Sequence, residues 1–240
     1  MIFAMANLAL IPARGGSKRL PRKNALDFLG RPMLAYTVEA ALQAGCFDRV
    51  LVSTDDDEIE ALARACGAEV DRRPPALGSD AASVAEVSLE LLARESAQGR
   101  DYRTLCALYA TAPLRNAADI RAVMDLLEPG VCDFALAATQ YTHYPYQALK
   151  YAEDGRATPM WPELCNLPSR EIGALVAGNG STYAAHVEAF RLAKEFYGPG
   201  MKAHLMPFVR SVDIDTLDDF RLAECLAREA LGYAAGSAAL

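Results

Sequence analysis

The sequence predicts an α/β fold: a mainly parallel, doubly wound sheet with helices on both faces. Two observations predict it. From Met1 to about Thr139, short apolar runs alternate with amphipathic segments in the rhythm of β-α-β units. In the longer segments the apolar residues recur at spacings of three and four, the period of a helix with one buried face. Taken in order, the strands are Leu8–Pro12, Val50–Ser53, Glu69–Asp71, Thr104–Tyr109 and Phe134–Ala138, and the helices between them are Met33–Ala44, Asp57–Cys66, Val84–Ser96 and Ala117–Leu127. Each strand then ends beside a loop on one common edge, where an open parallel sheet binds its ligands.

After Thr139 the rhythm breaks. A stretch rich in Tyr and Pro, Tyr141 to Tyr146, leads to Ala148–Tyr151, a turn signal at Glu153-Asp-Gly155, and irregular sequence to Gly180. This segment reads as an insertion. It holds Trp161, the only tryptophan, among Met160, Pro162 and Leu164, a group suited to a subunit contact; an arm packed on its own core is the alternative. The chain returns with a strand at Thr182–Ala185, a helix at Val187–Phe196, a strand at His204–Phe208 and a last helix at Leu217–Ala230, before a small apolar tail, Gly232–Leu240, expected to fray. The expected domains are therefore 1–140 with 181–231, an inserted arm over 141–180, and a tail over 232–240.

A net charge of −7 disfavours nucleic acid, whose backbone calls for an extended basic surface, so any anion site must be local. The apolar start, Met1 to Ala13, is too short to span a bilayer, and its first cation, Arg14, follows the apolar run, unlike a signal peptide. No membrane association and a cytoplasmic location are expected. The six cysteines lie far apart, with no Cys-x-x-Cys, which suggests free thiols and neither a zinc site nor a disulfide framework.

The loop after the first strand, Ile11-Pro-Ala-Arg-Gly-Gly-Ser-Lys-Arg-Leu-Pro-Arg-Lys-Asn24, holds Arg14, Lys18, Arg19, Arg22 and Lys23 before any acid. Gly15, Gly16 and Ser17 let the backbone approach an anion and offer N–H donors, and the cations neutralise a polyphosphate. The pattern is neither a Walker loop nor Gly-x-Gly-x-x-Gly. A solvated basic loop is the other reading. Val212-Asp-Ile-Asp-Thr216 sets Asp213 and Asp215 two residues apart in an extended segment, on one side, where both could share a divalent cation. Hard oxygens beside a phosphorylated ligand favour Mg²⁺. Alternatively, Asp215 or Thr216 caps the last helix and Asp213 is merely exposed. Asp55-Asp-Asp-Glu58 opens a helix and reads mainly as capping. The loop from Arg73 to Ser83 and the turn Tyr109-Ala-Thr-Ala-Pro-Leu-Arg115 offer further contacts at the same edge, with Arg115 aimed at the rim or left as a surface charge.

With these residues in place, the chain resembles the acylneuraminate cytidylyltransferases, which make CMP-sialic acid and CMP-activated nonulosonic relatives. The likeness rests on Ile11–Asn24, Leu51-Val-Ser-Thr-Asp-Asp56, the Arg73–Ser83 loop, Tyr109-Ala-Thr-Ala-Pro-Leu114, Asn179-Gly-Ser-Thr-Tyr183 and Val212-Asp-Ile-Asp-Thr216. It implies a Rossmann-like fold of the nucleotide-diphospho-sugar transferase type, a homodimer with an inserted arm, and transfer of CMP from CTP to a nine-carbon acidic sugar. It further implies that Arg14 and Lys23 hold the triphosphate and, with Asp215, act in catalysis. The Gly15–Ser17 turn, Asn24, Arg73 and Ser83 would contact the nucleotide, and Asp213 and Asp215 would bind Mg²⁺. Tyr109, Gln147, Arg170 and Tyr183 would face the sugar. Tyr109 and Gln147 are similar to the pseudaminic-acid branch, and Asn179–Tyr183 to the sialic-acid branch. Two rivals remain: a metal-dependent glycosyltransferase using Asp55-Asp-Asp57 or Asp213-Ile-Asp215, and a catalytically silent nucleotide-binding protein.

Overall fold

The structure, a computed structural model, describes residues 6–74, 82–141 and 143–230. Strand β1 (Ala6–Pro12) leads through a minimal hairpin, β2 (Asp27–Phe28) and β3 (Arg31–Pro32), into α1 (Met33–Ala44). Then come β4 (Arg49–Thr54), α2 (Asp57–Ala65), β5 (Glu69–Arg72), α3 (Val84–Ala97), β6 (Tyr102–Leu108), α4 (Ala117–Met124) and β7 (Phe134–Gln140). The remainder is β8 (Leu149–Tyr151), β9 (Ala157–Pro159), α5 (Ser169–Ile172), β10 (Val176–His186), α6 (Val187–Ala193), β11 (Lys202–Leu205) and α7 (Leu217–Ala230).

Seven strands form one sheet in the order β11-β7-β10-β6-β1-β4-β5. All neighbours are parallel except β10, which runs antiparallel to both β6 and β7. The chain passes from β7 to β10 through the arm instead of a crossover helix, so it re-enters the sheet in the opposite sense. β1 pairs with β4 on one side and β6 on the other. The chain builds outward to β5 and then returns past β1, a switch point that opens a crevice at the carboxyl ends of β1 and β6.

Both faces of β1 are apolar, as a sheet covered on two sides requires. Ala9 and Ile11 pack with Leu34 and Val38 of α1, Ile59 of α2 and Ile120 of α4. Leu8 and Leu10 pack with Leu91 and Leu92 of α3 and Phe190 of α6. Each such leucine contributes roughly 2 kcal/mol by leaving water. A third cluster, with Leu20, Phe28, Met33, Val212, Ile214 and Phe220, joins the loop after β1 to the segment before α7. Phe28 meets Tyr36 and Phe220 edge-on at 5.4 and 5.6 Å.

Several expected boundaries move for physical reasons. The expected helix to Phe196 ends at Ala193, because Lys194 turns left-handed at φ 58. Phe196 then folds back onto Phe190, 4.5 Å away, and so mimics helical spacing. The strand expected to reach Phe208 stops at Leu205, because Pro207 has no N–H to give the ladder and a 3-10 turn follows at Phe208–Arg210. The stretch to Gly180 is less irregular than its sequence suggests. β8 and β9 pair around the Glu153–Gly155 turn, α5 follows, and β10 starts at Val176, where it pairs with Gln140 across a register shift near Gly178. The tail 232–240 and residues 75–81 of the Arg73–Ser83 loop lie outside the described residues. Among the described residues no helix is long and apolar enough to cross a membrane.

Candidate active site

A cavity of about 530 Å³ occupies the switch point, reached by Pro12 at the end of β1 and Tyr109 just past β6. The loop after β1 forms one wall. Ala13 donates to the Ser53 carbonyl at 2.9 Å, the Gly15 N–H donates to the Asp55 carboxylate at 3.0 Å, and Asn24 closes the loop by donating to the Arg14 carbonyl at 2.9 Å. Gly15 lies so close to Asp56 that an added Cβ would fall 2.4 Å from its carboxylate oxygen. Gly16, by contrast, has open space around it. Arg14, Ser17, Lys18, Arg19, Lys23 and Asn24 line the cavity, and Arg22 does not.

The opposing wall carries the acids. Val212 and Ile214 turn inward to the third apolar cluster, and the alternation of an extended chain puts Asp213 and Asp215 on the cavity side. The Ile214 N–H donates to the Thr111 carbonyl at 2.8 Å, and the Thr111 hydroxyl donates to Asp213. Asp215 accepts from Lys23 and from Arg19, each at 2.8 Å. Helix capping is done by Thr216, whose N–H bonds Asp219 at 2.8 Å and whose hydroxyl accepts from the Asp219 N–H. Neither cavity acid is used up as a cap.

The two acids are driven apart electrostatically. Burial pushes the Asp213 carboxyl above the usual carboxylate range, and the charge of Asp215 adds to this, against the Thr111 hydrogen bond. For Asp215, burial acts upward too, but Lys23 and Arg19 outweigh it and hold the group below that range. Asp213 is therefore the acid with the least compensation, and a cation in the cavity would supply it. Among the described residues no three His, Cys, Asp or Glu side chains gather as a metal cage. Two carboxylates facing a cationic loop nevertheless fit the hard oxygen ligands that Mg²⁺ takes from proteins.

The other expected residues fall into three groups. Arg73 lines the cavity with its guanidinium bonded to the Ser53 carbonyl at 3.0 Å, and burial draws its pKa down. Tyr109 lines the cavity and meets Tyr183 of β10 at 5.7 Å; burial pushes the Tyr109 phenol up to about 12, so it stays neutral. Ser83 caps α3 in a box with Glu86, between the lining residues Ala82 and Val84. Gln147, in the Pro145–Gln147 turn, and Arg170, on α5, are exposed on the arm and do not line this chain's cavity, because the arm leaves the sheet edge before reaching them. Arg115 does not reach the rim. It is 2% exposed and donates to the carbonyls of Ser181 and Tyr109, tying β10 to the end of β6, and burial draws its pKa down to about 10.

Sequence reasoning underrated Asp55, Asp56 and Thr111. All three stand in the motifs quoted above, but their roles are contacts across more than thirty residues that no local spacing reveals. Asp55 and Asp56 hold the loop, and Asp57 is 93% exposed beside Arg72. None of this run lines the cavity.

The family profile described as cytidylyltransferase matches residues 8–144. The chain belongs to the cytidylyltransferase family. A pseudaminic acid cytidylyltransferase of Campylobacter jejuni serotype O:2 is 34% identical over 92% of this chain and 96% of that protein. An N-acylneuraminate cytidylyltransferase of Escherichia coli O18:K1:H7 is 32% identical over 90% of this chain, which spans 51% of that relative. The resemblance read from the motifs is thus borne out. Among solved structures, a CMP:2-keto-3-deoxy-manno-octonic acid synthetase complexed with CTP superposes with a TM-score of 0.66 at 19% identity, covering 94% of this chain and 99% of the other. A 4-diphosphocytidyl-2C-methyl-D-erythritol synthase gives 0.67 at 12%, covering 94% and 99%. Both share the fold, the nucleotide-diphospho-sugar transferase type expected from the sequence.

Proposed function

We propose that this cytidylyltransferase transfers CMP from CTP to the anomeric hydroxyl of a nine-carbon 2-keto sugar acid of the sialic, pseudaminic or legionaminic type, releasing pyrophosphate. The observation that carries the reading is one cavity with a cationic glycine loop on one wall and the Asp213–Asp215 pair on the other. The names of the two relatives support the sugar class.

In this reading Arg14, Lys23 and the Gly15–Ser17 turn, whose glycines let the triphosphate approach the backbone and whose Ser17 lines the cavity, bind the triphosphate and neutralise the charge that gathers on the leaving pyrophosphate. Asn24, Arg73 and Ser83 orient the nucleoside. Asp213 and Asp215 would hold Mg²⁺, which would supply charge neutralisation at the phosphate oxygens and make a neighbouring hydroxyl more acidic. Lys23 and Arg19 both pair with Asp215. Phosphate oxygens would compete with Asp215 for both cations. Tyr109 and Tyr183 offer the sugar a neutral wall, and Arg170 offers its carboxylate a planar fork of donors.

Gln147 and Arg170 serve this role from a second copy of the chain. The arm's exposed apolar side chains, Leu149, Tyr151 and Met160, support a homodimer whose arms cross, each reaching the other subunit's cavity. The test is to incubate the protein with CTP, Mg²⁺ and a panel of sialic, pseudaminic, legionaminic and eight-carbon acids and to weigh the products. A CMP adduct of a nine-carbon acid is expected. Pyrophosphate release with sugar 1-phosphates, or CTP binding without turnover on any acid, would sink the reading.

A further inference from the structure

The phosphate loop carries five cations, and one of them turns away from the cavity. Arg22 points instead at the start of α2, where its guanidinium nitrogens lie 3.4 and 3.5 Å from the Asp56 carboxylate and also reach Glu58. Its backbone is left-handed, at φ 53 and ψ 28, a conformation that costs a non-glycine residue and needs something to hold it. Arg22 is also the residue from which the 3-10 turn Lys23–Ala25 starts, so its conformation sets where Lys23 and Asn24 stand.

Asp56 is a fixed post. Its carboxylate accepts from the N–H groups of Glu58 and Ile59, each at 3.0 Å, as the cap of α2. Gly15 rests against it with no room for a side chain, and the neighbouring Asp55 accepts from the Gly15 N–H at 3.0 Å. The loop is therefore fastened to the end of β4 at both of its ends, by Gly15 next to Arg14 and by Arg22 next to Lys23.

We propose that Arg22 and Asp56, with Asp55, form a clasp that holds the phosphate loop in its anion-binding shape. They are positioning residues: none lines the cavity, and they act through Arg14 and Lys23. The part of the proposal that concerns CTP rests on the function proposed above; the clasp itself does not.

The test compares Arg22→Ala, Arg22→Gly, Arg22→Lys, Asp56→Asn and the Arg22→Ala/Asp56→Asn double variant with the unaltered protein. Asparagine caps a helix about as well as aspartate, so α2 is kept and only the charge is lost. Amide hydrogen exchange of residues 15–24 reads the clasp without any ligand. It should speed up about tenfold in Arg22→Ala and Asp56→Asn, no further in the double variant, and return toward normal in Arg22→Lys. Exchange unchanged in both single variants, or additive in the double, overturns the clasp whether or not CTP binds. Calorimetry with CTP and Mg²⁺ reads the consequence: affinity about tenfold weaker in the same variants, with the thermal midpoint nearly unchanged. Arg22→Gly relieves the left-handed backbone but lacks the ion pair, so full affinity there would show that conformation alone matters and would overturn the ion-pair role. If the unaltered protein does not bind CTP, the proposed function fails, and hydrogen exchange still decides the clasp.

Discussion

Lys23 and Asp215 face each other at 2.8 Å on the cavity wall, outside the apolar clusters, and Asp215 is partly exposed. Replacing either by alanine is expected to cut CMP transfer at least about a hundredfold, in line with removal of a charge-stabilising group. The thermal midpoint should barely move, because partly exposed ion pairs add little stability. A Lys23→Ala or Asp215→Ala protein that turns over normally would remove that residue from the mechanism. Gly180 is a sharper probe of Asp213. Its φ is +68, and a Cβ there would lie 2.4 Å from the Asp213 carboxylate. Gly180→Ala therefore combines left-handed strain of about 1–2 kcal/mol with displacement of the acid. We expect turnover to collapse and the Mg²⁺ requirement to rise, measured as the metal concentration giving half-maximal rate; an unchanged metal dependence would mean that Asp213 does not bind the cation.

At the scale of elements, periodicity predicted α1 to the residue and α7 from Leu217 through Ala230, the last described residue, because each buries a regular stripe. It failed where packing and local spacing disagree, as at Phe196, which returns to the core after the helix has ended. The cavity wall formed by Asp213 and Asp215 was legible for the same reason as a strand: alternation puts Val212 and Ile214 inside and the acids outside. The inward path of Arg115 was not, since the two carbonyls that capture it belong to the middle of β10 and to the residue after β6, whose meeting depends on sheet order. Long-range polar ties of this kind also hold α3. Glu95, 8% exposed at its side chain, accepts from Arg100 and from Tyr102 at 2.6 Å and pairs with Arg49 of β4. The Arg100 hydrogen bond, with Tyr102 and Arg49 and against burial, brings its carboxyl down to about 2. A pKa below the unfolded value of about 4.3 stabilises the fold above that pH, and the stabilisation is lost as pH falls toward about 2. With Arg100 partly exposed, Glu95→Gln should lower stability at pH 7 by about 2 kcal/mol. Urea unfolding from pH 7 to 3 should show the gap between variant and parent narrowing below about pH 4.3; a gap that stays constant would mean that shape, not charge, is what Glu95 contributes.

For the whole molecule, the arm decides whether a second copy of the chain completes the proposed site. In a single chain the cavity has its cationic loop and its acids but not Gln147 and Arg170, which stand on the arm with the exposed side chains of Tyr151 and Leu149, 78% and 56% accessible. Crossed arms in a two-fold dimer would satisfy both features at once, since an isologous contact buries the same patch twice and completes two sites together. Complementation distinguishes this from an arm that folds onto its own cavity. A Lys23→Ala chain has a defective cavity and a sound arm, and an Arg170→Ala chain has the reverse, so each homodimer is expected to be nearly inactive. Mixed through reversible unfolding in equal amounts, half of the dimers pair one chain of each kind, and each of these has one intact site. The mixture should then regain about a quarter of the activity of unaltered protein, from two-fold symmetry alone. No recovery in a mixture shown by mass spectrometry to contain the mixed dimer would mean that each arm serves its own chain, and the crossed arrangement would fall.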